Sequence, residues 1–118
     1  MASSKITLMH NPRCSKSRGA LALLEDAGAT PEIIHYLDSP PDIETLRDIL
    51  TRLEMSAREL MRTGEAVYKA KGLDDPALSE EQLLQTMIEN PILIERPIAF
   101  TNDQAVVGRP PDRVLELI

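Results

Sequence analysis

Apolar residues in this chain change their spacing several times, and the order of those changes restricts the fold. Ile6-Thr7-Leu8-Met9 is short, partly β-branched and followed by a turn at Asn11-Pro12, which predicts a strand. Ala20, Leu21, Leu23, Leu24 and Ala27 then recur at helical spacing until Gly28 closes the run. This predicts a helix of about 13 residues starting near Cys14. Ile33-Ile34-His35-Tyr36-Leu37 predicts a second strand, interrupted by Ser39-Pro40-Pro41. Ile43, Leu46, Ile49, Leu50 and Leu53 form one face of a second helix, with Asp42 placed to cap it. Strand-helix-strand-helix in this order predicts a βαβ unit with parallel strands.

The middle of the chain reads as helical. Ser56-Ala57-Arg58-Glu59 and Ser79-Glu80-Glu81-Gln82 are both capping-box patterns. The first predicts a short helix ended by Gly64. The second predicts a helix through Leu83, Leu84, Met87 and Ile88, stopped at Asn90-Pro91. Gly72-Leu73-Asp74-Asp75-Pro76 lies between them as a loop. Ile98-Ala99-Phe100-Thr101 and Ala105-Val106-Val107 flank Asn102-Asp103 and predict a hairpin. Pro110-Pro111 opens a last helix, expected to turn Val114, Leu115 and Ile118 inward. The sequence contains no internal repeat, low-complexity tract or linker, so one domain over residues 1–118 is expected. The element order matches a thioredoxin-like α/β fold, a mixed four-stranded sheet flanked by helices, with a helical insertion. A cis peptide at Arg96-Pro97 is expected from that layout, since X-Pro bonds adopt cis at low cost.

Composition narrows the function. A chain of 118 residues with 42% hydrophobic and 27% charged residues can bury one core. Aromatic residues make up 3%, which leaves an aliphatic core and little for base stacking. The net charge of −6 argues against general affinity for nucleic acid or an anionic membrane, while permitting a small local anion site. No stretch approaches the roughly 18 apolar residues of a membrane span, and no signal-peptide core follows Met1-Ala2-Ser3-Ser4-Lys5. A reducing cytoplasm is the expected compartment. The single cysteine, Cys14, cannot form an internal disulfide. His10, His35 and Cys14 lack the clustered spacing that a zinc site needs.

The segment His10-Asn11-Pro12-Arg13-Cys14-Ser15-Lys16-Ser17-Arg18 lies where the first strand hands over to the first helix. Active sites commonly occupy such positions in parallel α/β folds. At a helix N-terminus, exposed N–H groups and the positive end of the dipole favour a thiolate, the nucleophilic form. Arg13, Lys16 and Arg18 add positive charge, and His10 could assist when protonated. The same N–H groups can cradle a tetrahedral oxyanion, with Ser15 and Ser17 hydroxyls as further donors. A lone cysteine is often a small buried apolar side chain, but this one sits in a polar, basic turn. A satisfied strand-end histidine remains an equal reading for His10. Arg62, Arg96 and Arg109 also stand out, the last two directly before Pro97 and Pro110. Arginine suits an oxyanion because its planar fork offers two parallel donors, although each arginine taken singly reads as a solvated surface residue.

The Cys14 segment resembles the active-site signature of the ArsC family of arsenate reductases, the type coupled to glutathione and glutaredoxin. The resemblance continues through Leu60-Met61-Arg62-Thr63-Gly64-Glu65, Tyr68-Lys69 and Gly72-Leu73. It resumes in Asn90-Pro91-Ile92-Leu93-Ile94-Glu95-Arg96-Pro97-Ile98 and Gly108-Arg109-Pro110-Pro111. The resemblance implies that Cys14 attacks arsenate, that Arg62, Arg96 and Arg109 hold the arsenic oxyanion, that His10 helps keep the cysteine ionised and that Ser17 lies in the anion loop. It further implies glutathione as co-substrate, glutaredoxin as protein partner and no bound cofactor. The absence of a second, resolving cysteine fits an external reductant. A monomer acting on arsenate or a similar oxyanion is expected, without nucleic acid or membrane.

Two other readings stay open at this level. Spx-like regulators share the architecture and bind RNA polymerase, but many carry a Cys-x-x-Cys switch, and here the second position is Ser17. A related thiol oxidoreductase on the same scaffold would act on another substrate, since arsenate and phosphate are near-isosteric.

Overall fold

The computed structural model describes residues 5–118, so the reading of Met1-Ala2-Ser3-Ser4 lies outside the described residues. The chain divides into two compact units, one made of the residues up to Ser39 together with Arg96–Ile118, the other of Pro40–Glu95.

The first unit holds strand β1 (Thr7–Met9), helix α1 (Ser15–Asp26), and strands β2 (Glu32–Ile34), β3 (Ile98–Phe100) and β4 (Ala105–Val107). It ends in a 3-10 helix over Pro111–Leu117. The sheet order is β2-β1-β3-β4. β1 and β2 are parallel, as the βαβ reading predicts, and the other two pairs are antiparallel. This is the expected mixed four-stranded, thioredoxin-like arrangement. Leu8, Ala20, Leu24, Ala99 and Val114 are wholly buried in one cluster with Ile6 and Val106. Each such leucine or valine contributes roughly 1.5–3 kcal/mol by leaving water. Gly28, at φ +89°, turns the chain after α1 in a conformation that disfavours side chains. At Gly108 a Cβ would lie 2.8 Å from Pro97 Cγ, so glycine alone lets β4 pass the proline.

Three expectations in this unit are corrected. The second strand stops at Ile34 rather than Leu37: the His35 carbonyl accepts from the Asp38 and Ser39 N–H groups, folding the segment into a turn. The last helix is 3-10, and of its three expected inward residues only Val114 is buried. Leu115 is 37% and Ile118 63% exposed. At the tighter three-residue period, Leu117 takes the place opposite the core beside Val114. Ala27, expected on the apolar face of α1, is the exposed C-cap. The Arg96-Pro97 peptide is cis, as the layout predicts, and so is Arg109-Pro110.

The second unit is helical: α2 (Ile43–Leu53), α3 (Ala57–Leu60), α4 (Ala66–Ala70), α5 (Glu80–Glu89) and a 3-10 turn over Pro91–Leu93. Asp42 caps α2 by accepting from Thr45 N–H at 2.8 Å. Both capping boxes form, at Ser56 with Glu59 and at Ser79 with Gln82. α5 packs against α2 and α3, and Leu46, Ile49, Leu60, Leu83, Leu84 and Met87 are buried. α3 ends at Leu60, not at Gly64. Met61 leaves the helix to form an antiparallel bridge with Ile94, and Arg62 N–H donates to the Leu93 carbonyl at 2.7 Å. Helix α4 was legible only as part of a helical region, because its five residues bury none of their side chains.

Candidate active site

The strand-to-helix turn builds the site. Cys14 is the N-cap of α1 with extended backbone (φ −96°, ψ 122°), and its carbonyl accepts the first helical bond from Arg18 N–H at 3.0 Å. Its own N–H donates to the Asn11 carbonyl at 3.0 Å. The thiol is half-buried. Burial pushes its pKa up, but the neighbouring Ser17 N–H, Arg96 guanidinium and Lys16 N–H favour the thiolate and outweigh it, although the thiol makes no capping hydrogen bond. The net result is a thiol held below its ordinary value.

The source of positive charge differs from the sequence reading. Arg96 supplies the cationic contribution to the sulfur. Arg13 is exposed, and only its backbone bonds within the loop, to Asn11 Oδ1 at 3.0 Å. Arg18 is also exposed and folds back to donate to the Pro12 carbonyl at 2.8 Å. Lys16 acts through its backbone N–H. Ser15 is exposed at the first helical position.

His10 and Ser17 meet inside the turn. Ser17 is wholly buried, lies 2.6 Å from His10 Nδ1 and accepts from Asn11 N–H at 3.0 Å. This hydroxyl is engaged inside the loop by both His10 Nδ1 and the Asn11 N–H, and the tautomer of His10 decides which of the pair donates. Burial, the neighbouring His35 and the charge of Arg18 all lower the His10 pKa. His10 is thus a buried, hydrogen-bonded residue of the turn whose surroundings disfavour its protonated form. The His10 and His35 rings stand 6.2 Å apart.

Arg109 Nη1 donates to the Arg96 carbonyl at 3.2 Å, tying the two proline-flanked arginines together within the first unit. Arg62 belongs to the second unit. There it is only 22% exposed, with Nε bonded to Glu65 at 3.1 Å and Nη1 to Glu95 at 3.4 Å. The structure thus brings His10, Arg13, Cys14, Ser15, Ser17, Arg18, Arg96 and Arg109 into one unit, while Arg62 is held by carboxylates of the other. Sequence reasoning missed Asn11, His35, Glu65 and Glu95. Asn11 was legible as an Asx residue two positions before Arg13; the others carry no local signal. Among the described residues no group of three or more His, Cys, Asp or Glu side chains is gathered to hold a metal. No described helix is long and apolar enough to cross a membrane.

The sequence profile of the ArsC family matches residues 9–117. The chain belongs to the ArsC family. It is 53% identical over 115 residues to YfgD, an uncharacterized protein of Escherichia coli strain K12, with 97% of each chain covered. It is 48% identical over 111 residues to an arsenate reductase of Neisseria meningitidis serogroup B, covering 93% of this chain and 95% of that one. Among solved structures, an arsenate reductase from Vibrio cholerae superposes with a TM-score of 0.95 at 44% identity, covering 99% of this chain and 100% of the other. The ArsC-family match runs through both units, so the helical insertion is part of the family pattern.

Proposed function

We propose that this ArsC-family protein reduces arsenate to arsenite, with Cys14 as nucleophile, glutathione as co-substrate and glutaredoxin as the partner that completes the cycle. The carrying observation is Cys14 at the N-cap of α1, where the Ser17 and Lys16 N–H groups and the Arg96 guanidinium favour its thiolate. Relatives named arsenate reductase support the substrate.

In this reading the Cys14 thiolate attacks arsenic(V), forming a sulfur–arsenic bond, and a hydroxide leaves as water after taking a proton. A glutathione thiol displaces a second oxygen, again released as water. The glutaredoxin thiolate then attacks the glutathione sulfur. A disulfide forms between glutathione and glutaredoxin, and the electron pair of the broken sulfur–arsenic bond stays on arsenic, now arsenic(III). Hydrolysis of the remaining bond returns Cys14 and releases arsenite. Arg62, Arg96 and Arg109 are the proposed catalytic arginines, since preorganised donors on a developing oxyanion supply a large part of such rate enhancements. Arg13, Ser15 and Arg18 line the approach, and His10 and Ser17 fix the turn. No bound cofactor is required, and a reducing cytoplasm supplies the thiols.

The test is arsenite release by the purified protein with glutathione and glutaredoxin. Turnover that needs both thiols and vanishes in Cys14→Ser supports the reading. Absence of turnover, or turnover by Cys14→Ser, overturns it.

A further inference from the structure

Cys14 holds its place at the head of α1 without help from its own side chain. Asp42, Ser56 and Ser79 each cap a helix by accepting a backbone N–H of the first turn through the side chain. Cys14 is an N-cap as well, with extended backbone, but its side chain makes no such bond. A thiol kept free to react cannot also serve as the cap, so its position has to be set by other groups.

The residues before it supply them. Asn11-Pro12-Arg13-Cys14 is a β-turn, closed by the Cys14 N–H donating to the Asn11 carbonyl at 3.0 Å. Within it the Arg13 N–H donates to Asn11 Oδ1 at 3.0 Å, the turn that an Asn or Asp side chain makes with the backbone two residues on. The Asn11 N–H donates to Ser17 Oγ at 3.0 Å, which fastens the turn to α1 itself. Asn11 is buried. Any residue supplies the carbonyl, and any but proline the N–H; the bond at Oδ1 is the one that needs this side chain.

Aspartate would close the same turn. It would also set a negative charge three residues before a thiolate that the Ser17 and Lys16 N–H groups and Arg96 favour. A like charge nearby disfavours ionisation. Asparagine keeps the oxygen acceptor and omits the charge.

We propose that Asn11 is a positioning residue for the nucleophile: its Oδ1 locks the turn that delivers Cys14 to the N-cap of α1, and its neutrality keeps a like charge away from the sulfur and from an incoming anion. The role rests on Cys14 as the nucleophile of the reading above, but its test uses no arsenate.

The test is the rate of Cys14 alkylation by iodoacetamide, an uncharged reagent, against pH in the full chain, with urea unfolding of each variant alongside. Asn11→Ala and the similarly shaped Asn11→Leu both lose the acceptor. Each should move the alkylation midpoint up by about half a pH unit or more, a roughly threefold fall in thiolate at a fixed pH below the midpoint. Asn11→Ser, whose hydroxyl makes the same turn more weakly, should recover part of the shift. Asn11→Asp keeps an acceptor but adds charge, and its midpoint should lie above that of Asn11→Ser. An unchanged midpoint in Asn11→Ala or Asn11→Leu, even at lower stability, or failure of both to fold, makes the residue structural only and overturns the positioning role. An Asn11→Asp midpoint no higher than that of Asn11→Ser overturns the requirement for a neutral side chain. A chain that shows the expected shifts yet reduces no arsenate keeps the Asn11 role and loses the reductase reading. A chain that reduces arsenate without those shifts loses only the Asn11 role.

Discussion

Replacing Ser17 by alanine tests whether the nucleophile turn is held from inside. The side chain is wholly buried on the first turns of α1, so alanine fits without clash. What is lost is the hydroxyl that accepts Asn11 N–H at 3.0 Å and meets His10 Nδ1 at 2.6 Å. His10 and Asn11 are only 6% and 8% exposed, so water does not readily replace the missing partner. Each orphaned buried group costs about 1–3 kcal/mol, giving about 2–4 kcal/mol for the pair after partial relaxation. That is a large share of the roughly 5–15 kcal/mol that stabilises a typical domain. In urea denaturation the midpoint should fall by about 1–2 M with an unchanged slope. Ser15→Ala is the control, because Ser15 is exposed on the same helix and should change stability by less than about 0.5 kcal/mol. A Ser17→Ala midpoint equal to the wild type, or equal to the Ser15→Ala midpoint, refutes the internal-brace argument.

Alkylation of Cys14 against pH should show a midpoint below the ordinary thiol value of 9.0, moved upward in Arg96→Gln and slowed by sulfate. A midpoint at or above 9.0 defeats the electrostatic assignment. Lysine in place of Arg62, Arg96 or Arg109 should lower arsenate turnover about tenfold or more with unchanged circular dichroism, because the charge survives but the two-pronged donor does not. Wild-type rates in all three variants remove the arginines from the mechanism. His10, whose folded pKa is depressed, contributes stability that is fully present above its unfolded value of 6.5 and is lost as pH falls through the folded value. Stability followed from neutral pH downward should therefore decline from about pH 6.5, and the His10→Asn variant should flatten that part of the profile; an equal decline in the variant assigns it to another group.

Local sequence carried much of the first unit and of the capping chemistry. The period change from β1 to α1, the Asp42 cap and the Ser56 and Ser79 boxes depend on residues within a few positions of one another, and they form as expected. The failures have two causes, contacts between distant residues and a local turn that overrides β-forming residues. α3 stops early because Met61 finds Ile94, and nothing near Gly64 announces that bridge. The second strand is short because the chain turns at His35, despite the β-forming run Tyr36-Leu37 that follows. Within the site, the Cys14 position was legible from its helix-start context, whereas the pairing of Arg62 with Glu65 and Glu95 was not. Hydrogen-bond partners cannot be read from charge alone, and for that reason the loop's own cations were credited with a contribution that Arg96 makes.

The placement of Arg96 follows from strand register. β1 and β3 are antiparallel with Met9 opposite Ile98, so the chain after Met9 runs beside the chain before Ile98. His10 and Asn11 lead from β1 into the Cys14 turn, while Pro97 and Arg96 precede β3. Residues far apart in sequence are therefore delivered to the same end of the sheet. This matters because the overall charge of −6 repels the anionic substrate of the proposed reaction. Exposed cations such as Arg13 and Arg18 act through solvent, where ions screen them beyond about 8–10 Å. The N–H groups of Lys16 and Ser17, by contrast, are fixed at the sulfur by α1, and Arg96 is fixed there by the β1–β3 register. The thiolate is stabilised by groups that the fold cannot move away. The same logic gives a one-residue slip of β3 a chemical consequence: it would exchange the faces of the strand and withdraw the guanidinium from Cys14 along with the buried side chain of Ile98.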